Sequence, residues 1–270
     1  MLVMSISYLH SIQDVSFVYE TGDRPVLVLC SDMQQYICKY MRPNSTIAYK
    51  LACELIGAQM ADAWNLNTPP VAIVNIRPNH WSNGVPHSIG APAIGFRKME
   101  NVLDVASTTY KQVTPNKDTL YQLLKIALFD FWIANEDRTC NNANLLYNVE
   151  TEQIISIDYG GVLNNVLFDN PLSQLTETDS ILCADIFAHI CKAVSPKTLF
   201  QNVQLLEKDY YKCIGRGKKQ KTVLQTMPKE WSVSADKVTL KFDELFATQW
   251  IEETWQNFVE CLKSNSNYGK

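Results

Sequence analysis

Short apolar runs broken by polar turns open the chain. VSFVY at 15–19, VLVLC at 26–30 and QYICKY at 35–40 are rich in β-branched and aromatic residues and predict an antiparallel meander. The period then changes. Asn44 or Ser45 can cap a helix in which Ile47, Leu51, Glu54 and Ala58 recur along one face, so a glutamate sits among apolar positions. Pro69-Pro70 ends that pattern, and VAIVNI at 71–76 predicts another strand before a loop rich in Pro, Asn and Gly. PAIGF at 92–96 either re-enters the sheet or links it to the second half of the chain.

From Pro115 the character is different. A capped helix is predicted to about Ala134, then a hairpin from LLYNV and QIISI, then helical patterns near 180–194, 197–212 and 243–263. Strands first and helices second predict an α+β protein with a small strand-rich lobe over residues 1–96, a larger helical lobe over 97–270, and a cleft between them.

Composition narrows the function classes. The 270 residues are 46% hydrophobic and 19% charged, which suits a compact globular chain with a sizeable core. A net charge of −4 argues against nucleic acid or an anionic membrane as the main partner. The richest apolar run, LLKIALFDFWIA at 123–134, holds Lys125 and Asp130 and is too short to span a bilayer, so no membrane insertion is expected and the expected setting is cytoplasmic. The eight cysteines contain no CxxC pair and are expected as buried thiols; Cys183, His189 and Cys191 are metal-capable, but their spacing fits no familiar zinc pattern. GRGKKQK at 215–221 is the one local concentration of positive charge, read as a solvated loop or, alternatively, a phosphate or protein contact.

The chemistry concentrates in FDFWIANEDRTCNNANLLYNVETEQIISIDYGG, residues 129–161. Asp137 is followed five residues later by Asn142, and a hairpin then ends in Asp158-Tyr159-Gly160-Gly161. Taken alone, a carboxylate after a helix is often a cap or turn former. The whole loop spends many polar side chains between an apolar helix and an apolar strand, where a shorter connection would do. Phosphoryl transfer would use such a set: Asp137 to accept a hydroxyl proton, and Asn142 with Asp158 as oxygen ligands for Mg²⁺.

The run NEDRTCNNANLLY followed by ISIDYGG resembles the catalytic loop and metal-binding triplet of the protein-kinase superfamily, and HipA-like kinases in particular. Asn135-Glu136 stand before Asp137 where ordinary eukaryotic kinases have His-Arg. The resemblance covers roughly residues 14–235 and implies a two-lobed protein-kinase-like fold using ATP and Mg²⁺. It further implies that Lys39 touches the nucleotide phosphates, that Glu54 holds Lys39 by an ion pair, and that Asp137, Asn142 and Asp158 play the parts just described. Where many kinases carry a glycine-rich loop, YETGDRP has only Gly22, so the phosphate contacts expected there are backbone N–H groups from Thr21 to Arg24. Adenine is expected near Ile94 to Phe96.

Several residues have two readings. Arg138 either binds phosphate or locks the loop, the second being favoured; Asn144 is expected to bond loop backbone; Asp130 is expected as a buried orienter; and Phe129, Phe131 and Trp132 as core. Ser173, Thr176, Thr178 and Ser180 are regulatory phosphosites or ordinary cap hydroxyls. The leading expectation is a serine/threonine protein kinase with a protein substrate or regulatory protein partner. The alternatives are a small-molecule or lipid-headgroup kinase of the same fold and a catalytically silent nucleotide-binding regulator.

Overall fold

A computed structural model describes residues 6–43, 47–81, 85, 87, 90–165, 167–266 and 268. The expected caps Asn44 and Ser45 lie outside the described residues. Six strands form one mixed sheet: β1 (Ser7–His10), β2 (Phe17–Val18), β3 (Val26–Leu29), β4 (Gln35–Lys39), β5 (Val71–Asn75) and β6 (Ala93–Arg97), in the order β1-β5-β6-β4-β3-β2. β2, β3 and β4 are the antiparallel meander, while β1 joins β5 in parallel at the opposite edge. Of the two readings of residues 92–96 the sheet takes the first, since β6 pairs with both β4 and β5.

Alternation along β3 and β4 buries Val26, Val28, Tyr36 and Cys38 on one face, in an apolar cluster with Ala72 and Val74. Lys39 therefore belongs to the other face, opposite Ile94 in register. That face packs on α1 (Ile47–Ala63), which also contacts the carboxy-terminal helices. Because α1 is enclosed between sheet and helices, every residue from Leu51 to Ala61 is buried, and Glu54 with them.

The second half is built on α2 (Lys117–Ile133). Asn116 and Thr119 form a reciprocal capping box at its start, and Ala134 closes it in the left-handed region with φ 52°. Leu120, Leu123, Leu124, Phe129, Phe131 and Trp132 are all fully buried against the helices Pro196–Lys218 and Thr248–Asn265. Trp132 Nε1 donates to the Leu245 carbonyl at 2.9 Å, and Trp250 Nε1 donates to the Trp132 carbonyl at 2.8 Å. A three-stranded sheet, β7 (Val102–Asp104), β8 (Leu145–Asn148) and β9 (Gln153–Ser156), carries the loop after α2 back toward the cleft.

The helical part departs from the pattern in three places. The helix expected at 197–212 continues to Lys218 and takes in the first half of the basic segment: Arg216 Nε donates to the Ala63 carbonyl at 2.6 Å, and Gly217 lies against Trp132 and Phe246, so packing overrides two glycines. The pattern at 243–263 divides into Ala235–Leu245 and Thr248–Asn265, with Phe246 packing on Trp132 at the break. Among 180–194 the regular helix is Asp185–Ala193, preceded by a 3₁₀ turn over Ile181–Cys183.

Not all thiols are buried as expected. Cys30, Cys38, Cys53, Cys213 and Cys261 are, but Cys183 and Cys191 are partly accessible and Cys140 is exposed. Thr176 Oγ1 bonds Asp179, and Ser180 Oγ accepts from the Leu182 N–H at 3.2 Å, which are ordinary capping roles. Among the described residues no helix is long and apolar enough to cross a membrane.

Candidate active site

Three elements converge behind the cleft. β4 ends at Lys39, α1 presents Glu54, and Asp158 follows β9 at the bottom of the turn into Tyr159. Lys39 Nζ bonds Glu54 Oε1 and lies 2.8 Å from Asp158 Oδ1. The second oxygen of Glu54 accepts the Tyr159 N–H at 2.8 Å. Asp158 has φ 57°, a left-handed conformation that Asp tolerates better than most residues, and its Oδ1 accepts from the Gly160 N–H at 3.3 Å.

Charge and burial oppose each other here. Desolvation raises the Asp158 carboxyl, but Lys39 and the hydrogen bonds to it outweigh burial and hold it down at about 2. Glu54 has no exposed surface: burial pushes it up to about 7, with Asp158 adding to the push and Lys39 pulling the other way. Lys39 keeps its proton firmly, since the two carboxylates overcome its desolvation.

The loop after α2 is held from beneath. Arg138 is fully buried, pairs with Asp130, and donates to Ser156 Oγ at 2.7 Å and to the Ile157 carbonyl at 2.9 Å. Asn135, also buried, donates to Asp130 Oδ1 at 2.9 Å. Arg138 thus ties the loop to the end of β9, and Asp130 orients both. Above this base Asn142 Nδ2 donates to Asp137 Oδ1 at 3.2 Å, which leaves the Asn142 amide oxygen available as a ligand. Asn144 Nδ2 reaches the Asp137 carbonyl at 3.4 Å. A side chain on Gly161 would come within 2.4 Å of Asp137 Cβ, so the glycine lets the two loops touch.

Asn142 and Asp158 line one cleft of about 860 Å³ together with Tyr19, Gly22, Val105, Leu146 and Ile157. Lys39, Glu54 and Asp158 form one bonded group and Asp137 with Asn142 a second, and the two groups share the cleft through Asp158 and Asn142. The other expected contacts are divided. Thr21 and Gly22 line the cleft, but the Arg24 N–H is given to the Thr21 carbonyl at 2.9 Å and the Arg24 side chain lies 3.6 Å from Glu20. Ile94 is fully buried in the core behind Lys39 and Phe96 is partly buried beside it, and neither lines the cleft; its apolar walls are Tyr19, Val105, Leu146 and Ile157.

The side chains of Asp23 and Lys50 also lie beside this group, and the sequence pattern does not single them out. Asp23 Oδ2 is 2.7 Å from Lys50 Nζ and 3.9 Å from Lys39 Nζ. Lys50 stands one helical turn before Glu54, and that spacing was the available signal. For Leu146 the signal was strand alternation, since Leu145 and Tyr147 are buried and Leu146 faces the other way.

The donor set suits a hard cation. Among the described residues no three His, Cys, Asp or Glu side chains gather into a metal cage. An ionised Asp158 and the amide oxygen of Asn142 could supply two oxygen ligands, a donor set of the kind Mg²⁺ takes alongside phosphate oxygens and water.

Comparison with known proteins gives a family. A family model described as HipA-like kinase matches residues 14–260. No curated protein matches the chain. Among solved structures, the proinflammatory kinase CtkA of Helicobacter pylori is 9% identical, with 95% of this chain and 98% of that chain covered and a TM-score of 0.53. The Golgi casein kinase with Mn/ADP bound is 12% identical, with 96% and 74% covered and a TM-score of 0.49. At such identity the likeness to CtkA shows a shared two-lobed, kinase-like fold.

Proposed function

The chain belongs to the HipA-like kinase family, and on that premise we propose that it transfers the γ-phosphoryl group of magnesium-bound ATP to a Ser or Thr hydroxyl of a protein. The observation that carries the reading is the Lys39–Asp158 pair at 2.8 Å, in a cleft that Asp158 shares with Asn142, which in turn holds Asp137 at 3.2 Å. A phosphate-binding cation, an oxygen-ligand pair and a proton acceptor so placed are what in-line transfer requires.

Each residue then has one task. Lys39 binds phosphate oxygens, and Glu54 fixes the Lys39 ammonium. Asp158 and Asn142 would hold Mg²⁺, whose chemistry is to neutralise charge on the phosphates. Asp137 accepts or orients the incoming hydroxyl, while the Asn142 and Asn144 amides hold its loop in place. The turn that begins at Thr21, with Gly22 at the cleft wall, would offer the backbone N–H groups of Gly22 and Asp23 to phosphate, the Arg24 N–H being taken by the Thr21 carbonyl at 2.9 Å. The base fits between Tyr19, Val105, Leu146 and Ile157. The lobe boundary falls at residues 96 and 97, at the end of β6.

Transfer from labelled ATP in host lysate, comparing wild type with Asp137→Ala and identifying products by mass, tests the reading. Labelled Ser or Thr in protein, lost in Asp137→Ala, supports it. Label confined to a metabolite or lipid headgroup would move the acceptor class, and wild-type protein without product would mark a nucleotide-binding regulator. A regulatory protein partner would be sought in the same lysate by retention on the Asp137→Ala protein.

A further inference from the structure

Beside the Lys39 pair lies a second cation that the phosphoryl-transfer reading has not used. Lys50 is on α1, one turn before Glu54, and its stem crosses the backbone of the Asp158-Tyr159-Gly160 triplet: a Cβ on Gly160 would come within 2.7 Å of Lys50 Cε and 3.1 Å of its Cγ. A side chain at 160 would have to push the Lys50 chain off this path. Its side chain is one-third exposed, and its ion-pair partner among the described residues is Asp23, at 2.7 Å.

Asp23 comes from the turn between β2 and β3, next to Gly22, which lines the cleft. Its carboxylate is also 3.9 Å from Lys39 Nζ. Arg42 donates to the Asp23 backbone carbonyl and so fixes the turn in this place. One anionic group thus faces two lysines beside Asp158. Two ammonium groups converging on one set of oxygens is a geometry that a phosphate fills as well as a carboxylate does, and with more oxygens.

We propose that Lys50 is a second phosphate-binding lysine of this kinase, and that the Asp23 carboxylate competes with nucleotide phosphate for Lys50 and Lys39. Lys39 already gives hydrogen bonds to Glu54 and Asp158 and has one donor left for a phosphate. Lys50, bound only by Asp23 among the described ion pairs, supplies a second contact once the Asp23 side chain swings out. The nucleoside end of the cleft, at Tyr19, Leu146 and Ile157, takes no part in the exchange.

The inference rests on the kinase reading, and the experiment separates the two. Binding of Mg-ATP and of adenosine is measured by calorimetry on wild type, Lys50→Met, Lys50→Arg, Asp23→Asn and Asp158→Asn. Lys50→Met is expected to weaken Mg-ATP about tenfold or more, with partial recovery in Lys50→Arg. Asp23→Asn is expected to tighten Mg-ATP, by about threefold or more given two released lysines. Adenosine, which carries no phosphate, should bind all of these alike. Mg-ATP binding that is lost in Asp158→Asn but unchanged in Lys50→Met overturns this inference alone. So does an Asp23→Asn protein that binds Mg-ATP more weakly, or an equal loss for adenosine and ATP in Lys50→Met. A wild-type protein that binds no Mg-ATP overturns the kinase reading together with it.

Discussion

The backbone N–H of Tyr159 donates to Glu54 Oε2 at 2.8 Å across 105 positions of sequence, while Oε1 of the same carboxylate holds Lys39. One buried side chain therefore ties the end of β4 to the Asp158 triplet. Moving α1 would release Lys39 and the Asp158 triplet together, which on the proposed roles frees the phosphate-binding lysine and the metal-binding carboxylate at once.

This double duty gives Glu54 a pH signature. Its carboxyl is raised from 4.5 to about 7, so its contribution to stability is present below about 4.5 and is lost as pH rises through 7. The shift corresponds to up to about 3 kcal/mol. Nucleotide affinity should move the other way, because only the ionised form fixes Lys39 by charge. Denaturant midpoints and Mg-ATP affinity between pH 5 and 8 are expected to show opposite slopes in wild type, both flattened in Glu54→Gln. Unchanged slopes in Glu54→Gln would reject the assignment.

Asp158→Ala should reduce phosphoryl transfer by about a hundredfold or more, since it removes the charged ligand and one partner of Lys39. Far-ultraviolet circular dichroism should remain native. Because the Asp158 carboxyl is held at about 2, wild type gains stability above its ordinary value of 3.8 and loses it as pH falls toward 2, a component the variant lacks. Preserved turnover in purified Asp158→Ala would remove this residue from the mechanism.

Arg138→Met is expected to cost about 3–5 kcal/mol by leaving Asp130 charged and buried without its partner. Arg138→Met with Asp130→Leu should recover part of that loss. Urea titrations of the two single variants and the pair measure the coupling; additive losses would contradict a buried pair that acts as a unit.

Two glycines should respond in opposite directions to alanine. At Gly57 the added methyl would meet Tyr159 Cβ at 2.3 Å, so Gly57→Ala should lose about 1–3 kcal/mol and shift the Asp158 triplet. Gly215 lies inside the helix Pro196–Lys218 with nothing within 4 Å of its added Cβ, so Gly215→Ala should gain up to about 1 kcal/mol. Thermal unfolding of both proteins provides the check, and a stabilised Gly57→Ala would show that α1 does not press on Tyr159.

Much of the candidate site was legible because it is local in sequence. Asp137 and Asn142 lie in one loop, the β8–β9 hairpin fixes how far Asp158 can stray from it, and strand and helix periods alone put Lys39 at a strand end and Glu54 on an apolar face. Those periods also gave the meander, α1, α2 and the hairpin, and with them the two-part architecture.

Partners distant in sequence were decided by the tertiary structure. β1 has no strong strand pattern and is a strand because β5 offers it an edge. The helix through Gly215 and Gly217 continues because Arg216 and Gly217 find partners on α1, Trp132 and Phe246, a gain that exceeds the propensity cost of two glycines. The site followed the same rule. Ile94 reads as a cleft residue along the chain, yet the side of β6 that carries it is covered by α1; Asp23 and Lys50 read as ordinary turn and helix residues until packing brings them beside Lys39. Periodicity states which face of an element is apolar, whereas which charges meet depends on how three separate elements stack, and only the folded chain sets that distance.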